Sequence, residues 1–245
     1  TRLAGTLRSY LRIVYGTLPE ARDEIRRLNR LHDRVRGGPG PGATAYDARD
    51  PALALWVHAT LVDSTMAVAA AWHRPLARAE RARLYAESLP VGRAFGIPAT
   101  LLPADAEAFD AYVRGMLDAT GPVHPDATSR ELALAVLSPP PGPGLRTLLG
   151  PLVGRVPAAL HETAGAIANR VPPWSAAWLL WPAVGLLPPS LREEYDIAWG
   201  LPQRAVASWL VAGWRAWNDV VPEPIRWMPQ AQRAHRRVAH VFARQ

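Results

Sequence analysis

The chain has 245 residues, 49% of them hydrophobic, and a formal net charge of +7 that is due to arginine alone because lysine is absent. This length and hydrophobic content allow one sizeable buried core and exclude a wholly disordered chain. The absence of cysteine excludes disulfides, thiolate metal sites and a cysteine nucleophile.

Apolar residues recur every three to four positions along most of the chain, which is the spacing of amphipathic helices. No stretch shows the period-two alternation of β-branched residues that is typical of strands. The sequence therefore predicts an all-α fold, with a single helical domain over residues 1–245 and an internal loop at the proline–glycine run of residues 139–144. In chain order, helices are predicted over Thr1–Tyr15, from Thr17 to the Gly37–Gly42 run, and over Pro51–Trp72, Pro75–Ser88, Asp105–Leu117, Ser129–Leu137, Pro202–Val221 and Gln230–Arg244, with one or two helices over Leu145–Asn169. The segment Trp174–Leu187 is dense in tryptophan, and the tryptophans of the chain are expected to be core residues.

The second and third predicted helices each carry one histidine on the side that is expected to face inward. The second opens with Thr17 and a glutamate three residues later, the spacing of a capping box. His32 falls four residues after Leu28 on the apolar stripe of this helix. The third starts after Asp50 and is apolar nearly all round past His58, which predicts a buried helix. Two inward histidines on sequential helices suggest a site.

Two stretches near these histidines raise the questions of a mobile lid over the site and of a membrane span. Gly37–Arg49 is too rich in glycine and proline for regular structure, so it is a candidate mobile lid. The apolar run Ala52–Trp72 is about as long as a membrane span. Because His58, Asp63 and Ser64 interrupt this run, we predict a buried core helix and no transmembrane segment.

The first residues and the distribution of charge give further expectations. The chain starts inside a helical pattern without a methionine or a cap, which predicts that the N-terminal part of the domain lies upstream. No signal-peptide pattern is visible, and a bacterial cytoplasmic location is expected. The arginines are scattered among acidic residues along helices, as on solvated faces, so nucleic acid is not an expected partner.

The usual nucleotide and zinc motifs are not present in a usable form. Gly38–Ala43 imitates a dinucleotide fingerprint, but its two prolines lack amide donors and it follows a helix rather than a strand. His161 and Glu162 are not followed by a second histidine at the spacing of a zinc protease. These motifs therefore predict no function.

His32 allows three interpretations. A histidine on an apolar helix face is usually a core residue with a hydrogen-bond partner. A neutral imidazole in a dry, apolar space can instead ligate a haem iron, with arginines holding the propionates. A non-haem iron site from His32, His58 and Asp63 is a third possibility, although Asp63 lies ~140° round the helix from His58. The arginines nearest to His32 in sequence are Arg27, Arg30, Arg34 and Arg36.

Ten short segments along the chain carry a recognisable pattern. In the first part these are Arg2–Thr6, Tyr15–Thr17, His32–Gly37, Tyr46–Pro51 and Trp56–Leu61. Further along they are Leu84–Glu87, Gly96–Pro98, Leu102–Pro103, Phe109–Tyr112 and Leu187–Tyr195. In this order they resemble the MpaB-type oxygenase family, which also includes the latex-clearing rubber oxygenases. The resemblance is most specific between His32 and Leu61.

The resemblance implies a helical haem b protein with a globin-like core. The proximal iron ligand of the rubber-oxygenase branch corresponds to His32, and an arginine–threonine pair near the haem corresponds to Arg2 and Thr6. A second family histidine, which we place beside the haem and not on the iron, corresponds to His58. Arg36 is the arginine that we expect to hold a propionate. The implied function is a haem-dependent oxygenase that uses dioxygen, with Arg2 and Thr6 as catalytic residues.

The chain also departs from the rubber-cleaving branch. That branch has a lysine just before the matched threonine, where this chain has Gly5. An acidic residue proposed as a base in that branch lies upstream of the matched arginine, outside these residues. Rubber is therefore not assigned as the substrate, and the expected substrate is a small lipophilic molecule or natural product. The alternatives are a non-catalytic binding protein for a lipophilic ligand and a non-haem iron oxygenase that uses His32 and His58.

Overall fold

The structure, a computed structural model, describes residues 2–38, 45–118, 121–137, 180–222 and 227–242. Over these ranges the chain is all-α, as predicted, with ten helices and one ribbon of two two-residue strands. The globin-like character of the core stays a prediction. The helices are α1 (Arg2–Tyr15), α2 (Leu18–His32), α3 (Pro51–Trp72), α4 (Arg78–Ala94), α5 (Ala106–Leu117), α6 (Ala127–Leu137), α7 (Trp181–Leu186), α8 (Pro189–Glu194), α9 (Leu201–Val220) and α10 (Pro229–Phe242), and the strands are β1 (Arg36–Gly37) and β2 (Tyr46–Asp47).

Two helices, α2 and α3, start at the predicted caps Thr17 and Asp50. The Thr17 hydroxyl accepts a hydrogen bond from the backbone of Glu20 at 3.4 Å, and the Glu20 carboxylate accepts one from the backbone of Thr17 at 2.7 Å. Asp50 accepts from the backbone N–H of Ala52 at 2.8 Å, and Asp105 caps α5 in a similar way. These side chains satisfy amides that the first helical turn leaves without partners.

The end of α2 differs from the prediction. The helix ends at His32 and does not continue toward Gly37, so Val35 is not part of it. The cause is non-local pairing, because β1 forms an antiparallel ribbon with β2 in which Arg36 faces Asp47. Part of the predicted lid is therefore a hydrogen-bonded ribbon, and residues 39–44 lie outside the described residues.

The bounds of α4 also differ from the prediction. The helix starts at Arg78 and not at Pro75, because the Glu80 carboxylate accepts from the backbone of Ala77 at 2.9 Å and fixes the first turn there. It runs six residues beyond the predicted end at Ser88 and includes one proline. It stops before Gly96, whose φ of 87° is a conformation that glycine adopts readily.

The chain divides into two compact units. Unit 1 consists of Thr1–Ala70, Arg74–Asp118 and Gln230–Gln245, and unit 2 of Ala71–His73 and Ala119–Pro229. The single domain over residues 1–245 stays a prediction. Both predicted histidines and α10 belong to unit 1.

The core of unit 1 is built from α3, α4 and α5. Tyr85 and Phe109 are almost fully buried, and their ring centroids lie 4.9 Å apart. The Tyr85 hydroxyl donates to the Pro103 carbonyl at 2.6 Å, and burial together with nearby Asp105 raises the pKa of Tyr85 to about 12. The other buried members of this cluster are Ala59, Val62, Met66, Ala106 and Val113.

The prediction that α3 is buried all round is wrong. Only one face of the helix lies in the core, while Leu53, Val57, Leu61 and Val68 are exposed. An all-round apolar composition gives no directional signal, so it cannot show which face is covered. Among the described residues, α3 alone is long and apolar enough to cross a membrane by length and composition. Buried core helices meet the same criterion, so the buried face of α3 is compatible with the predicted absence of a membrane span.

In unit 2, aromatic rings and one arginine make the main contacts. Trp72 and Trp214 meet edge to face with ring centroids 5.6 Å apart. Arg192 lies over the ring of Trp199 and donates to the backbone carbonyl of Leu187, at the end of α7. The prediction of tryptophans as core residues is wrong for Trp209 and Trp217, which are 72% and 55% exposed. The predicted loop at 139–144, the predicted helix at 145–169, Trp174 and Trp178 lie outside the described residues.

Candidate functional site

His32 is the last residue of α2 and is half-buried. Among the described residues, no hydrogen bond or ion pair involves its imidazole, so the interpretation as a core histidine with a partner is not supported there. Its neighbours Leu31 and Val35 are 51% and 36% exposed. The ring nitrogens of His32 therefore have no partner in the described part of the chain, and two apolar residues close to it in sequence are uncovered.

Three contacts fix the backbone around His32. Before it, the side-chain amide of Asn29 donates to the Ala94 carbonyl at the end of α4, at 3.1 Å. After it, Asp33 pairs with Arg49 at 2.7 Å. Across the ribbon, Arg36 Nε pairs with Asp47 at 3.0 Å. The position of the imidazole is thus set on both sides by groups far away in sequence.

The arginines near His32 differ in how far they are already engaged. Arg27 donates to Glu24 at 2.5 and 3.1 Å and to the Ser9 hydroxyl at 3.0 Å. This guanidinium holds the pKa of the buried Glu24 carboxyl below its usual value. Arg27 is therefore a structural residue between α1 and α2. Arg36 uses Nε for Asp47, which leaves its other N–H groups for an anion.

His58 is 9% exposed and faces α4 from α3. Its Nε2 lies 3.4 Å from the Ser88 hydroxyl, and that hydroxyl donates its proton to the Tyr85 carbonyl at 2.7 Å. This assignment makes His58 Nε2–H the donor to Ser88. A Cβ on Gly92 would lie 3.2 Å from His58 Nε2, so a glycine allows the two helices to approach closely.

The protonation of His58 should make stability depend on pH. Burial lowers the pKa of His58 below its ordinary value of 6.5. The unfolded chain then binds a proton before the folded one does, so the full contribution is present above pH 6.5 and is lost as pH falls through the folded-state pKa. We expect urea unfolding to show a slope of up to about 1.4 kcal/mol per pH unit in that window.

The matched control for this titration is the exposed His73. We expect His58→Gln to remove the slope below pH 6.5 and His73→Gln to leave it in place. An unchanged slope in His58→Gln would show that another group causes it.

Asp63 interacts electrostatically with Asp110 and Arg81. Burial, followed by the charge of Asp110, raises the pKa of Asp63, while Arg81 opposes the shift. Arg81 itself pairs with Asp110 at 2.6 Å. The described residues contain no group of three histidine, cysteine, aspartate or glutamate side chains that could hold a metal ion. They therefore do not form the non-haem site considered for His32, His58 and Asp63.

Arg2 and Thr6 lie one turn apart in the uninterrupted helix α1, as the predicted shared face requires. Thr6 is exposed, and the Arg2 side chain lies outside the described residues. Their catalytic roles stay predictions.

Sequence reasoning missed Ser88 and Gly92, the neighbours of His58. Ser88 closes a predicted helix without any special pattern, so it gives no signal. Gly92 lies further along the same helix, α4, and is a usable signal, because glycine weakens helices and needs a packing reason. The close approach to His58 is that reason here.

Comparisons with known proteins extend this description. The family model described as "ER-bound oxygenase mpaB/B'/Rubber oxygenase, catalytic domain" matches residues 1–217. Two relatives, uncharacterized protein Mb2261 of Mycobacterium bovis and uncharacterized protein Rv2237 of Mycobacterium tuberculosis, are each 26% identical over 191 residues. The match covers 78% of this chain and spans 64% of the length of each relative. No solved structure matches the chain significantly.

Proposed function

Because the chain belongs to the family of ER-bound oxygenases mpaB/B' and rubber oxygenases, we propose that it is a haem b-dependent oxygenase with His32 as the proximal iron ligand. The proposed substrates are dioxygen and a small lipophilic molecule. The observation that carries the proposal is the half-buried imidazole at the end of α2, which has no partner among the described residues and which Leu31 and Val35, both exposed, flank in sequence.

The chemistry of the donor set fits haem b. A haem iron takes an imidazole nitrogen as axial ligand, and the porphyrin needs an apolar surface on both faces. Unit 1 supplies the imidazole of His32, which has no partner among the described residues, and several uncovered leucine and valine side chains on its first three helices. The exposed ones are Leu7, Val14, Leu18, Leu31, Leu53, Val57, Leu61 and Val68.

When bound, haem b would supply the activation of dioxygen, which no amino-acid side chain supplies by itself. His32 would donate a nitrogen lone pair, oriented by the backbone that the Asp33–Arg49 and Arg36–Asp47 ion pairs fix. The free N–H groups of Arg36 would hold a propionate. Arg2 and Thr6 would donate hydrogen bonds to the oxygen or to a polar group of the substrate, and the apolar side chains would exclude water.

His58 would act indirectly in this proposal. Its Nε2–H is directed at Ser88, so it is a positioning residue that keeps α3 against α4. In this role His58 would lie beside the haem and not on the iron.

An absorption spectrum of the protein purified from cells with ample haem tests the proposal. We expect a Soret band and about one haem b per chain by pyridine-haemochrome analysis. A colourless protein that binds lipophilic probes would indicate the non-catalytic binding protein instead. Iron without porphyrin absorbance would indicate a non-haem oxygenase, and either result would overturn the haem assignment.

A further inference from the structure

A second polar feature of unit 1 has no role in the proposed function. A half-open cavity of about 240 Å³ lies among α1, the start of α2 and α10. Four arginines line it, Arg8 and Arg12 from α1 and Arg233 and Arg237 from α10. Binding pockets for drug-sized ligands measure about 300–1,000 Å³, so this one suits a small ligand or one chemical group of a larger ligand.

The charge of the cavity is strongly positive. Glu20 is the only acidic residue among its lining residues, so four guanidinium groups face one carboxylate. That carboxylate already accepts hydrogen bonds from the Thr17 backbone at 2.7 Å and the Thr17 hydroxyl at 2.8 Å. This carboxylate also attracts Arg12 and Arg237, so it offsets one of the four positive charges and leaves three in excess.

The four arginines are not equally free to bind a ligand. Arg12 reaches Glu24 at 3.5 Å, and Arg237 donates to the Tyr15 carbonyl at the end of α1. Arg8 and Arg233 form no ion pair within the part of the chain that the structure describes. Two guanidinium groups thus line the cavity with their donors uncommitted, and Arg237 has N–H groups to spare.

A buried amide oxygen of the half-buried Gln230 adds an independent observation. Gln230, in the first turn of α10, lines the cavity, and its side-chain Oε1 is buried without a hydrogen-bond partner among the described residues. An unpaired buried polar atom is costly, and such an atom often marks the place of an absent ligand or water. The amide oxygen and nitrogen are interchangeable in such an assignment, so Gln230 can present N–H donors to the cavity.

From these groups we propose that the cavity binds a phosphate group. Arginine forks match the oxygens of phosphate, and several of them facing one opening provide more donors than a single carboxylate accepts. A multiply charged oxyanion also balances the three excess positive charges better than a monoanion does. The phosphate can belong to a small soluble molecule or to a phospholipid headgroup, and this inference is independent of haem binding.

Two probes distinguish the sources of the phosphate group. Binding of inorganic phosphate to the full chain is measured by isothermal titration at low salt. Binding to vesicles of phosphatidylcholine with phosphatidylglycerol is measured by co-sedimentation against vesicles of phosphatidylcholine alone. Saturable binding of inorganic phosphate assigns the site to a soluble phosphate compound. Binding only to the anionic vesicles assigns it to a lipid headgroup.

The variants separate a built site from general charge attraction. We expect Arg8→Gln combined with Arg233→Gln to weaken the observed binding about tenfold or more. The control, Arg93→Gln combined with Arg114→Gln, removes the same charge from exposed arginines outside the cavity and should change binding less than about twofold. Gln230→Glu keeps the shape of the side chain but adds a negative charge, so it should also weaken binding.

Two results would overturn the proposal. One is that neither probe binds at low salt. The other is that the cavity double variant and the control double variant weaken binding equally, because the phosphate would then respond only to net charge. Since all four exchanged arginines are exposed, we expect the variants to fold, and circular dichroism verifies this.

Discussion

Replacing His32 by alanine is expected to remove haem from the purified protein, with at least about 100-fold weaker haem retention. Loss of a group that only supports a metal ligand already costs about 10–100-fold in metal affinity, and loss of the ligand itself should cost more. The measurements are the Soret absorbance per chain and the rate of haem transfer to an acceptor protein. His73→Ala serves as the matched control, because His73 is exposed and belongs to unit 2.

A glycine variant separates ligation from folding. His32→Gly leaves room for free imidazole, which should restore the Soret band when it is added to the variant with haem. A merely structural role of His32 predicts no such rescue. Full haem content in both His32 variants would show that another residue ligates the iron, and the proposed site would then be wrong.

Replacing Phe109 by alanine is expected to lower the free energy of unfolding by about 3–5 kcal/mol. Phe109 is 1% exposed, and its ring stacks on Tyr85 within the core of α3, α4 and α5. The lost contacts and the resulting cavity both contribute to the cost. Folded domains are stable by only about 5–15 kcal/mol, so this single change removes a large share of the total. Urea unfolding followed by tryptophan fluorescence measures the difference.

The control for Phe109 is Leu101→Ala at a side chain that is 46% exposed. An exposed position should change stability by only about 0.5 kcal/mol. Phe109→Leu should keep part of the packing and fall between the two. A cost below about 1 kcal/mol for Phe109→Ala would mean that this cluster does not hold unit 1 together.

Helix starts were predictable from sequence because their causes are local. Thr17 with Glu20, Asp50 and Asp105 each bond to amides two or three residues away, which a sequence displays directly. The end of α2 was not predictable in this way. It depends on the pairing of Arg36 with Asp47, and nothing in the pattern before Gly37 reveals that partner.

In the candidate site, too, local features were predictable and contacts between distant residues were not. The apolar pattern of the sequence is sufficient to place His32 and His58 on helices. The contacts of these histidines are made with residues that are distant in sequence. Ser88, for example, lies 30 residues beyond His58. Arg27 is close to His32 in sequence, yet its guanidinium donates to Glu24 and Ser9. The structure is needed to show that these two partners already bind it.

The hydrogen bond from Arg237 to Tyr15 joins residues that are 222 positions apart. A ribosome makes α1 before α10, and adds about 5–20 residues per second. This contact therefore cannot form until roughly 10–40 s after Tyr15 is synthesised. Helices themselves form within about a microsecond. Completion of unit 1 is thus timed by translation, and the Tyr15 carbonyl lacks its Arg237 partner throughout that interval.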